Sequence, residues 1–167
     1  MINTDFNREA RKMGAHWDSV EKRWGPPELM QDEFDRLYSR YYDDMVAVEI
    51  TLSDTDVTNE KLGRTNVITF YGFVIATAFG RDSGAKLSNG VAVVKGGFTS
   101  GGSMKNFYCK MVGEEAVLRM HLPRWLAEKT GAKMLRAATD KDKLRAERDR
   151  LLKRLAQIEK ELEEAHQ

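Results

Sequence analysis

The chain has 167 residues, 41% of them hydrophobic and 32% charged, which predicts a globular domain with at least one strongly solvated segment. Its 27 basic and 26 acidic residues give a formal net charge of +1, which argues against both a histone-like basic protein and an acidic mimic of DNA. The lone Cys109 excludes an internal disulfide and fits a reducing compartment. Because neither a transmembrane run nor the apolar core of a signal peptide is found, we expect a cytoplasmic protein with no membrane partner.

The N-terminal segment, residues 1–44, begins with a predicted short helix. Phe6, Ala10 and Met13 are spaced for one face of that helix, and Gly14 stands where a helix C′ glycine is expected. Two tryptophans, Trp17 and Trp24, then flank a polar turn. This arrangement predicts a small hairpin with both rings packed on the preceding helix.

The tryptophans also have a second interpretation, as an exposed contact for a partner protein. If Trp17 and Trp24 are core, replacing either by alanine is expected to cost about 3–5 kcal/mol. If they form an interface, folding survives the replacement and binding does not.

A short motif surrounds these tryptophans. It reads Arg11-Lys12-Met13-Gly14-Ala15-His16-Trp17-Asp18, with Lys22 and Trp24 following. The motif resembles a short module of unknown function in plasmid and phage proteins, in which a helix leads to Gly-Ala, a residue, Trp-Asp, a turn, and Lys before a second Trp. Some members are attached to primase-like or other DNA-processing proteins. The resemblance covers roughly the first 25 residues and implies a mobile-element origin without assigning an activity.

The chain departs from this module in two places. The module's N-terminal strand is nearly absent, and Gly25-Pro26-Pro27 replaces the aromatic residue expected after the second tryptophan. Pro26-Pro27 is instead predicted to open a second helix that ends near Asp43. One apolar stripe marks that helix: Met30, Phe34, Leu37, Tyr38 and Tyr41.

Residues 45–131 are predicted to form a β-rich core that packs with the first segment as one globular domain. Alternating apolar residues predict a strand over 46–52, and the polar stretch Ser53–Arg64 is predicted to be a loop. Val67–Phe79 has few polar side chains and is predicted to be a buried strand bent at Gly72. A buried helix ending at Gly80 is the alternative, because periodicity does not separate the two.

The second half of this core is punctuated by glycine. Val91–Val94 is predicted to be a short strand and Gly96–Ser103 a flexible connection. Alternation in Phe107–Met111 and again in Ala116–Leu122 predicts a hairpin that turns at 113–115. A short helix, Arg124–Lys129, follows Pro123 and closes near Gly131. The predicted fold class is α+β, an antiparallel sheet of about five strands with packed helices and a C-terminal coiled-coil helix.

The C-terminal segment, residues 132–167, is predicted to be that coiled-coil helix. Its heptad seam, interrupted by Arg148, comprises Leu144, Leu151, Leu155, Ile158, Leu162 and Ala165. Residues 141–154 carry seven basic and three acidic side chains, whereas residues 155–167 carry one basic and four acidic side chains. An antiparallel pair sets positive against negative charge, so we predict an antiparallel homodimer.

No catalytic motif, metal-ligand spacing or nucleotide-binding loop is present, so we predict neither an enzyme nor a cofactor. Ser103 with Lys105 lacks an oxyanion hole, and by strand alternation Cys109 points into the core while His121 points out.

Charge and aromatic rings interleave around the glycine-rich stretch, as in single-strand nucleic-acid binders. The residues concerned are Lys95, Phe98, Lys105, Tyr108, Lys110 and Arg119. An ordinary solvated sheet face is the competing interpretation. The sequence therefore favours a non-enzymatic binding protein of phage or plasmid type that binds single-stranded nucleic acid. The alternative is a protein-interaction module, such as a phage- or plasmid-encoded inhibitor of a host defence complex. Only nucleic-acid binding is expected to weaken steeply with salt.

Overall fold

The computed structural model describes residues 1–26, 29–136, 148, 150–152, 154–155 and 157–158. The chain divides into two units, Met1–Leu135 and Arg136–Gln167. In the second unit the described residues from 148 onward are helical and exposed, whereas Arg136 is exposed and lies in neither a helix nor a strand. No helix of the described residues has the length and apolar character to cross a bilayer.

The described residues of the first unit form three helices and ten strands. In chain order they are α1 Thr4–Lys12, β1 His16–Asp18, β2 Arg23–Gly25, α2 Gln31–Tyr42, β3 Met45–Ser53, β4 Thr58–Leu62, β5 Thr65–Phe70, β6 Phe73–Ala78, β7 Ala85–Leu87, β8 Ala92–Gly102, β9 Phe107–Pro123, α3 Arg124–Thr130 and β10 Lys133–Met134.

The strands form three antiparallel sheets. Strands β1 and β2 form a separate hairpin, and the two larger sheets have the orders β10-β3-β9-β8 and β4-β5-β6-β7. The α+β class is confirmed, whereas the single sheet of about five strands is wrong. One apolar core joins both large sheets and all three helices, and it includes Phe6, Leu52, Phe73, Leu118 and Leu126.

Helix α1 ends as its sequence predicts. Gly14 has a φ of 86°, and its N–H donates to the Arg11 carbonyl at 3.0 Å. The Ala15 N–H donates to the Ala10 carbonyl at 3.0 Å, which completes a Schellman motif. This ending turns the chain directly into the β1–β2 hairpin.

Helix α2 begins later than predicted, at Gln31, with Met30 as its N-cap residue. The predicted start at Pro26-Pro27 is wrong for Pro26, because a residue that precedes proline is biased away from helical backbone; Pro27 lies outside the described residues. Phe34, Leu37 and Tyr41 are buried as the stripe predicts.

The chain over Val67–Phe79 is two strands, so the predictions of one bent strand and of a buried helix are both wrong. Strands β5 and β6 meet at Tyr71 and Gly72, whose φ values of 46° and 77° are those of a type I′ turn. The predicted loop Ser53–Arg64 contains β4, a polar edge strand paired with β5.

Strand β9 runs unbroken from Phe107 to Pro123, so the hairpin predicted at residues 113–115 is wrong. It pairs with β3 over residues 115–123 and with β8 along most of its length. The predicted flexible connection Gly96–Ser103 is likewise wrong, since β8 continues through Gly102. Gly96 and Gly113, with φ values of 78° and 85°, lie where the β8–β9 register shifts. These glycines therefore mark an irregularity within paired strands rather than a turn.

The Tyr71–Gly72 turn holds the N-terminus against the second sheet. The Gly72 carbonyl accepts from the Thr4 N–H at 2.8 Å, and the Tyr71 carbonyl accepts from the Asn3 side-chain amide at 3.2 Å. A Cβ on Gly72 would lie 2.7 Å from an oxygen of Asn3 and from an oxygen of Asp5.

We expect Gly72→Ala to destabilise the protein by at least about 1 kcal/mol more than Gly63→Ala. Both glycines have positive φ, so both alanines incur left-handed backbone strain of about 1–2 kcal/mol. A Cβ on Gly63 meets no atom within 4 Å, whereas the one on Gly72 displaces the buried Asn3. Urea unfolding of the two variants measures the difference, and equal losses would contradict it.

Candidate functional site: an aromatic cleft

A cleft of about 550 Å³ opens between the N-terminus, α1, the β1–β2 hairpin and α2. We call it the aromatic cleft because six of its lining residues are aromatic. These are Phe6, Trp17, Trp24, Phe34, Tyr38 and Tyr42.

Phe6 of α1 organises these rings. It is 1% exposed and makes edge-to-face contacts at centroid distances of 6.1 Å to Trp24, 6.0 Å to Phe34 and 5.1 Å to Tyr42. Residues of α2 at spacings of four bring Phe34, Tyr38 and Tyr42 to one face of that helix. Edge-to-face pairs of this kind are worth about 0.5–1.5 kcal/mol each beyond the area they bury.

The two tryptophans of the hairpin have different environments. They are paired across β1 and β2, with ring centroids 5.8 Å apart. Trp24 is partly buried and contacts both Phe6 and Trp17. Trp17 is 51% exposed, and Tyr38 across the cleft is 47% exposed. The prediction that both rings pack on α1 therefore describes Trp24 better than Trp17, whose ring is open to a ligand.

Three cations, Arg11, Lys22 and Arg23, line the same cleft, and all three are exposed. The Arg11 guanidinium lies 5.7 Å from the Trp24 ring centroid, a cation–π contact. No ion pair among the described residues uses any of the three, and no acidic residue of the described part of the chain lines the cleft. The cleft thus combines exposed rings with positive charge.

Asp18 is the acidic residue of the hairpin strands, and its carboxylate is used by the turn. It accepts from the Glu21 N–H at 3.0 Å and the Val20 N–H at 2.8 Å. These bonds, helped by Arg23 and His16, hold the pKa of Asp18 below its usual value. The carboxylate therefore shapes the loop that presents Lys22, which has a φ of 52°.

Tyr41 and Tyr42 of α2 are poor acid–base groups. Burial, and then the hydrogen bond from its hydroxyl to Glu9 at 2.8 Å, raise the pKa of Tyr41 to about 12. Burial also raises the pKa of Tyr42, which lines the cleft. Both phenols remain protonated at neutral pH, so Tyr42 offers the cleft a ring and a neutral hydroxyl.

The structure brings together only part of the sheet face predicted from the sequence. Tyr108 and Lys110 are exposed neighbours on β9, opposite Gly101 and Thr99 of β8. Lys105, also exposed, lies in the turn between the two strands.

The other three residues of that set are placed differently. Phe98 lies opposite Met111 and packs against the core. Lys95 lies beyond the register shift, opposite Val117. Arg119 is paired with Glu49, with nitrogen–oxygen distances of 2.9 Å.

Cys109 is fully buried between the two large sheets, and burial raises its pKa to about 11. Its backbone N–H donates to the Asn66 side chain at 2.9 Å, and its carbonyl accepts from Asn59. His121 is exposed on the other half of β9. Cys109 is therefore a protonated structural thiol. Among the described residues, no group of His, Cys, Asp or Glu side chains has the arrangement of a metal site.

Three residues of the predicted dimer seam, Leu151, Leu155 and Ile158, are described and are exposed by 62%, 54% and 39%. Leu144, Leu162 and Ala165 lie outside the described residues.

Sequence reasoning identified Trp17 and Trp24 but missed the rest of the cleft. Its other members are Met1, Ile2, Phe6, Asn7, Arg11, Lys22, Arg23, Phe34, Tyr38 and Tyr42. The available signal was the excess of aromatic residues in the α2 stripe, which was interpreted as core alone.

No protein-family model, curated protein or solved structure matches the chain. The resemblance of the hairpin to a plasmid and phage module stays a prediction.

We expect replacement by alanine to reduce the free energy of unfolding by different amounts at the two tryptophans. Trp24→Ala should lower the free energy of unfolding by about 3 kcal/mol, because a large partly buried ring is lost from the Phe6 cluster. Trp17→Ala should cost about 1 kcal/mol, the value of one aromatic pair. Urea unfolding measures both losses. Equal losses would contradict the assignment of Trp24 as the supporting ring and Trp17 as the exposed one.

Proposed function

We propose that the protein is a non-enzymatic, cytoplasmic binding protein of phage or plasmid type that holds single-stranded nucleic acid in the aromatic cleft. The proposal rests on the exposed rings of Trp17 and Tyr38, which line the cleft together with three cations. None of these cations takes part in an ion pair of the described residues. The phage or plasmid origin is supported by the resemblance of residues 11–24 to the plasmid and phage module.

Stacking favours an unpaired strand over a duplex. A base can lie on an aromatic side chain only when it is free of its own neighbours, and each such contact is worth about 1–3 kcal/mol. Trp17 and Tyr38 offer half-exposed rings for this purpose. Arg11, Lys22 and Arg23 supply the charge for the adjoining phosphates.

The sheet face is a weaker candidate for the same ligand. A groove of about 400 Å³ beside Tyr108 and Lys110 is also lined by Asp54, whose carboxylate repels phosphate. The positive charge of Arg119 is already engaged by Glu49. No described residue that lines the cleft is acidic. Of its three cations, Arg23 lies opposite Asp18, and none takes part in an ion pair of the described residues.

We expect a labelled single-stranded oligonucleotide to bind with an affinity that falls about 15- to 20-fold between ~50 and ~200 mM salt, because three phosphate contacts give a slope of about −2. Lys22→Ala should weaken binding and flatten the slope by about 0.7. Trp17→Ala should weaken binding about tenfold or more, without changing the slope. Fluorescence anisotropy measures all three quantities.

Lys86→Ala is the matched control, since Lys86 is an exposed lysine of β7 outside the cleft. Binding that survives Trp17→Ala and is lost in Tyr108→Ala would move the site to the sheet face. Failure of the folded protein to bind at either salt concentration would contradict nucleic-acid binding. It would leave the protein-interaction alternative, including an inhibitor of a host defence complex, with Trp17 as the contact.

We further propose that the C-terminal segment forms an antiparallel homodimer. Leu151, Leu155 and Ile158 recur at spacings of four and three, and each is exposed. An isolated helix with so narrow an apolar stripe is marginal in water, which favours a partner. The basic and acidic halves of residues 141–167 favour the antiparallel orientation.

We expect light scattering to give twice the mass of one chain, and Leu155→Glu to give a monomer at micromolar concentration, because the charge falls within the apolar seam. Leu152→Glu is the control, since Leu152 is also helical and 54% exposed but lies outside the seam. A monomeric unmodified protein, or cross-linking that joins the two C-terminal ends, would contradict the antiparallel dimer.

A further inference from the structure

We infer that the aromatic cleft holds one unpaired nucleotide at a time and that Asn7 contacts the edge of its base. This inference rests on the proposed function and adds the size of the ligand, its orientation and a specificity residue. The cleft volume of about 550 Å³ falls within the range of sites that enclose one small molecule, roughly 300–1,000 Å³. A strand therefore inserts one nucleotide and continues outside the cleft.

Asn7 is the neutral amide in the cleft lining, and its environment differs from that of Asn3 one turn earlier. The Asn3 amide caps α1 by accepting from the Phe6 N–H at 2.9 Å and donates to the Tyr71 carbonyl. None of the hydrogen bonds formed among the described residues uses the Asn7 side chain, which is partly exposed. An amide supplies an acceptor beside two donors, the complement of a base edge such as adenine N6 and N7.

The position of Asn7 on α1 also gives the nucleotide a direction. Asn7 and Arg11 are four residues apart, so they lie on one face of the helix one turn from each other. Arg11 lies over Trp24, and Lys22 and Arg23 extend the positive charge along the hairpin. The base therefore lies at the Asn7 end, between Trp17 and Tyr38, with its phosphate toward Arg11.

Competition against the labelled oligonucleotide tests this arrangement. The competitors are adenosine 5′-monophosphate, adenosine, ribose 5-phosphate and inorganic phosphate. We expect the monophosphate to displace the oligonucleotide at millimolar concentration and adenosine to be at least tenfold weaker. Neither ribose 5-phosphate nor inorganic phosphate should compete, because neither has an aromatic ring to stack.

Two variants test the contact to the base and the contact to the phosphate separately. Asn7→Leu, similar in size, should weaken the monophosphate about fivefold, because the contact to the base edge is lost. Arg11→Ala should remove the advantage of the monophosphate over adenosine, while Lys12→Ala should not, since Lys12 is exposed on α1 but does not line the cleft. Thermal melting of each variant establishes that it is folded, and oligonucleotides with a single abasic position repeat the base test on a strand.

The outcomes distinguish this inference from the proposed function. If the oligonucleotide binds through Trp17 and Lys22 but the monophosphate fails to compete, the single-nucleotide site is overturned and strand binding stands. If Asn7→Leu leaves the affinity for the monophosphate unchanged, the contact to the base is overturned. If neither the oligonucleotide nor the monophosphate binds, both proposals fall.

Discussion

The aromatic cleft depends on how the first residues of the chain are held by the Tyr71–Gly72 turn. Asn3 is fully buried, caps α1 with its side-chain oxygen and donates its amide to Tyr71. The Ile2 carbonyl accepts from the Val74 N–H at 3.0 Å, which extends the attachment onto β6. A buried amide left without these partners would cost about 1–3 kcal/mol, so Asn3 fixes the start of α1 strongly. Since Phe6 lies on the first turn of that helix, the same bonds position the ring about which the cleft is built.

The hairpin that forms one wall is much less secured than α1. Its strands have three residues each and pair only with one another, and an isolated two-stranded hairpin is marginal in water. Its attachment to the domain runs through Trp24, which contacts Phe6 and lies under Arg11. Trp17 contributes to the hairpin mainly by its contact with Trp24 and leaves half of its surface to solvent. One tryptophan thus supports the wall and the other forms its accessible surface.

The sequence was sufficient where local chemistry decides the structure. The Gly14 helix end, the Trp17–Trp24 hairpin and the alternation of β3 follow from interactions between residues close in the chain. Strands β5 and β6 were harder, because Val67 and Ile68 are neighbours and both are buried. A strand buried on both faces loses the alternation that identifies it. The Tyr71–Gly72 turn was therefore the signal that could distinguish two strands from one.

Strand β9 shows why glycine alone did not predict the topology. Gly113 takes a positive φ within a strand that pairs with β8 along most of its length and with β3 over residues 115–123. Beyond the end of β3, the outward backbone groups of Cys109 are satisfied by Asn59 and Asn66 of the other sheet. Side-chain amides from residues distant in sequence thus make the hydrogen bonds that a neighbouring strand would otherwise make. The alternation of apolar and polar residues in β9 does not predict these bonds.

The pairing of β8 with β9 explains why the candidate site is the aromatic cleft and not the sheet face predicted from the sequence. Phe98 and Tyr108 are both aromatic and close to lysines in sequence, but Phe98 lies opposite Met111 while Tyr108 lies opposite Gly101. Side chains opposite each other share a face and those one residue along do not, so pairing sends the Phe98 ring to the core and Tyr108 to solvent. In the cleft, Trp17 and Tyr38 come from a hairpin and a helix that both contact Phe6, the hairpin through Trp24 and the helix through Tyr38. A chain of net charge +1 can therefore concentrate cations beside exposed rings without a basic stretch in its sequence.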